Sequence, residues 1–120
     1  MNLYFVIQKT NNKYIYYLKE NTSVSKPIYS INTAKNIFGD YKYLIAGSDQ
    51  IWNYRITNMR FDPVFFLQFH TEARKIIYAA SSHDTPFPLN WELKFKTMIE
   101  KTDAIIGIRE KKLADYVYQI

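Results

Sequence analysis

The chain has 120 residues, of which 48% are apolar, 18% aromatic and 22% charged, and its formal net charge is +5. That length accommodates one domain and not two, and that ring content excludes intrinsic disorder, which requires few aromatics and a high charge density. Cysteine is absent, so a disulfide framework, a thiolate zinc site, an iron–sulfur cluster and a cysteine nucleophile are excluded together.

The basic residues run from Lys9 onward interleaved with acidic ones, not gathered in a cluster. They read as solubilising charge, with no nucleic-acid partner expected. His70 and His83 stand apart without metal-ligand spacing.

In chain order, residues 3–7 form an apolar run of five, far short of the about 20 residues needed to cross a bilayer. The run lacks the basic flank and small-residue cleavage site of a secretory signal, so no membrane span is expected and the location expected is cytoplasmic. Residues 14–18 suit either a strand or the core of a helix over about residues 12–20, and the flanking Lys and Glu favour the helix. Residues 31–38 read as a short helix closed by Gly39 at C′. Asp62-Pro63 has the form of an N-cap followed by a first-turn proline.

Residues 43–47, 75–80 and 104–108 are continuous apolar runs without period-two alternation. Such runs suit strands buried on both faces, the pattern of a parallel sheet covered by helices. Between the second and third runs, Trp91, Phe95, Met98 and Ile99 fall on one face of a helix, with Asn90 as its expected N-cap. Strand, helix and strand in that order form a βαβ unit. Residues 110–120 are helical in propensity, with Leu113, Val117 and Tyr118 on one side. The fold class expected is therefore α/β, a three-layer Rossmann-like parallel sheet.

Ligands of open parallel sheets bind beyond the carboxyl ends of the strands. That rule gathers three polar clusters on one edge: Gly47, Ser48, Asp49 and Gln50, continuing to Trp52 and Asn53; Ser81 and Ser82 with His83 and Asp84; and Arg109 with Glu110. Each has a plain structural reading beside the functional one. Gly47-Ser48-Asp49 makes a tight turn or touches a ligand; Ser81 and Ser82 cap backbone or touch a ligand. Arg109 suits a phosphate or carboxylate, and equally an ion pair with Glu110 or Asp49. Trp52 stacks on a sugar ring or plugs the core, and His83 is an acid–base group or an exposed loop residue. Asp49 and Glu110 are a potential carboxylate pair of unknown separation. A nucleophile elbow, a phosphate-binding Walker loop and a dinucleotide glycine fingerprint are all missing.

Leu44-Ile45-Ala46-Gly47-Ser48-Asp49-Gln50-Ile51-Trp52-Asn53 resembles the GSDQ-[IV]-WN signature of the polysaccharide pyruvyl transferase family. Residues 65–69 (FFLQF), 75–81 (KIIYAAS) and 103–110 (DAIIGIRE) are similar, in the same order, to that family's YFLDF, K-I-x-YAAS and DAISVRE segments. The resemblance carried by the four blocks spans roughly residues 28–118, most of the chain. The resemblance implies a GT-B-like architecture of two Rossmann-like halves facing a cleft. It implies transfer of a pyruvyl group from phosphoenolpyruvate, the donor substrate, to two hydroxyls of a hexose on a cell-surface polysaccharide, forming a ketal without a cofactor.

Family members are much longer, begin with a strand and a Gly/Asn-containing loop that this sequence lacks, and carry a second half with the donor-binding residues. The chain is accordingly expected to be a partial domain from the N-terminal half, 1–120, inactive alone. Two alternatives are a non-catalytic interaction module, pairing with a separately encoded C-terminal half, and a fragment of a GT-B-like glycosyltransferase.

Overall fold

The computed structural model describes residues 12–23, 25, 26, 28 and 30–120, with side chains from residue 16 onward. The apolar run at residues 3–7 and Lys9 lie outside them.

Strands β1 (Tyr43–Gly47), β2 (Arg74–Ala80) and β3 (Ile105–Ile108) fall on the three apolar runs and form one parallel sheet in the order β1-β2-β3. Tyr43 lies beside Arg74, Ile45 beside Ile76, Gly47 beside Tyr78, and Ile76 beside Ile105. Side chains alternate along a strand, so Leu44, Lys75, Ile77 and Ile106 share one face while Tyr43, Ile45, Ile76, Tyr78 and Ile105 share the other.

The first face carries the core. Leu44 and Ile77 join a cluster with Ala34 of α2 (Ile31–Phe38), Phe66 of a 3-10 turn (Pro63–Phe66), Trp91 and Phe95 of α3 (Leu89–Glu100), and Leu113 of α4 (Lys111–Val117). Aromatic rings fill its centre. Trp52 stacks on Phe66 at 5.2 Å between centroids and meets the Phe95 ring at 5.4 Å, while Tyr54 stacks on Trp91 at 4.0 Å. Phe61 touches the rings of Tyr54, Phe66, Phe87, Trp91 and Phe95. Stacked and edge-on rings of this kind add to the gain from burial alone.

The second face is open. Tyr43, Ile45, Tyr78 and Ile105 are 56–72% exposed there, while Ile76, in the middle strand between Ile45 and Ile105, is half-buried. The expectation of burial on both faces is therefore corrected: among the described residues the helices cover one face, giving two layers where three were expected. An apolar run reports that a strand's side chains suit burial, and it carries no information on whether a covering element is present. Helix α1 (Asn12–Asn21), predicted over nearly the same residues, buries Leu18 but leaves Tyr16 and Tyr17 exposed. What stands is an α/β fold with a small parallel sheet, compatible with part of a Rossmann-like domain. None of its described helices is long and apolar enough to cross a membrane.

Several local details differ from expectation. Helix α2 has the predicted bounds, and Ser30 caps it by accepting from the Thr33 amide. Gly39 is right-handed (φ −57°), so it serves not as a left-handed cap but because a Cβ there would stand 2.9 Å from the Lys35 carbonyl oxygen. Helix α3 begins one residue earlier than its expected cap, with the N-cap position at Pro88 and Asn90 inside the first turn. In α4, Tyr116 and not Tyr118 turns inward, against Phe87 and Phe95. Asp62 accepts from the Val64 amide as predicted, and the turn stops at Leu67, which is left-handed.

Candidate functional site

The carboxyl ends of the three strands converge on one hydroxyl. Ser81, directly after β2, is fully buried. Its Oγ accepts from the Gln50 amide at 2.7 Å and from Arg109 Nη2 at 3.0 Å, and donates to Asp49 Oδ1 at 3.2 Å. One donation and two acceptances exhaust a serine hydroxyl, so Ser81 joins the segment after β1 to the residue after β3.

Two backbone bonds reinforce the join: the Trp52 amide donates to the Ser81 carbonyl at 3.1 Å and the Arg109 amide to the Ala80 carbonyl at 3.1 Å. Gly47 is required at this edge by close approach, because a Cβ there would lie 2.5 Å from the Tyr78 carbonyl oxygen. The peptide bond from Gly47 to Ser48 is cis, and the chain turns through Gln50 at positive φ.

Arg109 holds two carboxylates. Its Nη2 donates to Asp49 Oδ1 at 2.7 Å and its Nε to Glu110 Oε1 at 3.0 Å. The hydrogen bond from Arg109, with its charge, holds the Asp49 carboxyl below the usual carboxylate range despite partial desolvation. Hydrogen bonds to Asp49 and then Glu110 raise Arg109 further. Glu110 Oε2 is shielded from solvent and receives no hydrogen bond among the described residues. The three groups sum to one negative charge, which makes this a rim of oriented acceptors more than an anion receptor.

Of the residues singled out from sequence, Asp49, Gln50, Ser81, Arg109 and Glu110 are brought together. Ser48 is beside them, exposed and without a side-chain hydrogen bond among the described residues, so the meeting at the rim is made by its neighbour Asp49. Trp52 does not stack on a ligand: its ring is wholly buried, which is the core-plug reading. Asn53 is buried as well, its amide donating to Gln50 Oε1 and accepting from the Arg55 amide. Ser82 donates to the Trp52 carbonyl. Trp52, Asn53 and Ser82 thus brace the turn that carries Asp49. His83 is exposed.

Sequence reading missed the Arg55–Asp84 ion pair (3.1 Å), which ties the segment after Asn53 to the loop after Ser82. Nothing in the spacing of those two residues signals it. Among the described residues there is no group of His, Asp and Glu that could hold a metal ion. Comparison with protein-family models, with curated proteins and with solved structures finds no match.

Proposed function

We propose that this rim is the acceptor-binding wall of a pyruvyl-transfer site, taking hexose hydroxyls on Asp49 and Glu110 while Arg109 holds both carboxylates in place. The carrying observation is the pair of carboxylates fixed on one guanidinium at the common carboxyl edge of the strands. The four sequence blocks support the class of reaction. The Asp49 carboxylate, 68% exposed, supports the acceptor side, since it is open to a hydroxyl donor.

In that reaction a general acid protonates the methylene of phosphoenolpyruvate, a sugar hydroxyl adds to the resulting cationic carbon, and a second hydroxyl displaces phosphate to close the ketal. The anions of phosphoenolpyruvate require cations beyond Arg109, which is already engaged. One wall positions one reactant, so the chain by itself is expected to bind sugar without turning over.

The test is titration of the 120-residue chain with glucose, galactose, mannose and phosphoenolpyruvate, followed by NMR. A Kd on the order of 1 mM or weaker for one hexose, lost in Asp49→Ala and in Arg109→Ala, is the expected result. Absence of any hexose binding, or binding indifferent to both variants, overturns the assignment. Phosphate release above blank with phosphoenolpyruvate and hexose would overturn the one-wall part of it.

A further inference from the structure

The open face of the sheet has a layout of its own. Across it lie Tyr43 beside Arg74, then Ile45 beside Ile76 beside Ile105, then Gly47 beside Tyr78, with Gly107 on the same face two residues past Ile105. Large side chains occupy the amino end, isoleucines the middle, and a tyrosine with glycines the carboxyl end. Tyr43, Ile45, Tyr78 and Ile105 are each more than half exposed. Arg74 is exposed and makes no ion pair among the described residues. A parallel sheet with one apolar face in water is unusual, because such sheets are normally covered on both sides.

We propose that this face binds a second copy of the chain, sheet against sheet, about a two-fold axis lying across the strands. That operation reverses the strand direction of the partner while keeping each strand over its own counterpart. Tyr43 of one copy then sits over the glycine gap at Gly47 of the other. Arg74 sits over the ring of Tyr78, where a guanidinium is attracted to the π face. Ile45, Ile76 and Ile105 each meet themselves. The alternative axis, along the strands, places Gly47 opposite Gly107 and leaves a void at the carboxyl end.

The area also fits. The exposed tyrosine and isoleucine side chains amount to on the order of 500 Å² per copy, so pairing removes on the order of 1,000 Å² from water, the lower bound for a specific association. Two sheets about 10 Å apart and rotated by about 30° satisfy this contact.

Sedimentation of the full chain at concentrations up to about 0.2 mM provides the test. A monomer–dimer equilibrium is expected. Ile45→Lys, which sets like charges against each other at the self-contact, should weaken it at least tenfold, while Tyr118→Lys, 90% exposed and outside the sheet, should leave it unchanged. Both variants are expected to melt like the parent, since neither site is buried. A monomer throughout that range overturns the proposal. So do open-ended oligomers, which exposed strand edges would give, and an equal response to the two variants.

Discussion

The sheet is closed by an ion pair at each end, and the two pairs do opposite things. At the amino end, Lys75 points into the core face, 5% exposed, with its Nζ 2.8 Å from Asp103 Oδ1 and 5.8 Å from the Phe69 ring centre. At the carboxyl end, Arg109 is 45% exposed and shares itself between Asp49 and Glu110. The first pair fastens a buried lysine of β2 to an exposed carboxylate on the residue leading into β3. The second holds the exposed Asp49 carboxylate at the solvent, where it is free to change partners. A buried cation is retained for the packing around it; an exposed one beside two carboxylates is available for recognition.

Substitutions sharpen that contrast. Lys75→Ala should have the largest effect, losing about 2–4 kcal/mol through the cavity left by the alkyl chain and the lost pair. Lys75→Met, which keeps the volume and removes the charge, should stay within about 1 kcal/mol of the parent or exceed it. Equal losses in the two variants, measured by urea denaturation, would mean that the charge and not the packing matters there.

Gly47→Ala should come next, at about 1–3 kcal/mol, because the new methyl meets backbone at Tyr78 and not a side chain that can swing away. A parent-like denaturation midpoint for this variant would show that the two strand ends can separate at no cost.

The smallest effect is expected at the rim, where Asp49→Asn should cost little stability near neutral pH. Because the folded carboxyl of Asp49 titrates below its ordinary value, its contribution is fully present above about pH 4 and fades as the pH falls through the lowered value. The stability difference between parent and Asp49→Asn should therefore close on acidification. A difference that widened instead would mean that the carboxylate is repelled in the folded state. Asp103, lowered chiefly by the hydrogen bond from Lys75, contributes with the same sign at the other end.

The strands were legible because five consecutive apolar residues in a chain of this polarity have few other uses. Helix α3 was legible from the spacing of Trp91, Phe95, Met98 and Ile99. The convergence at the rim followed from parallel strands alone, and the ion-pair reading of Arg109 named both of its actual partners. Burial was legible only in part. Trp52 is in the core, one of the two readings its loop position offered, whereas Asn53 sits in a polar motif yet faces inward, because the turn after Asp49 folds back over the ring cluster, and no local pattern encodes that reversal. The open face was equally hidden, since the run over residues 104–108 reads the same whether or not a layer lies above it. Tyr116 and Tyr118 are two positions apart on a short helix, and only the location of Phe87 decides which turns inward.

Both tryptophans, Trp52 and Trp91, belong to the same ring cluster and have almost no contact with solvent. Their emission should accordingly be blue-shifted in the native state and move to the red as that cluster opens. Intrinsic fluorescence therefore offers an optical gauge of the whole interior with no added label.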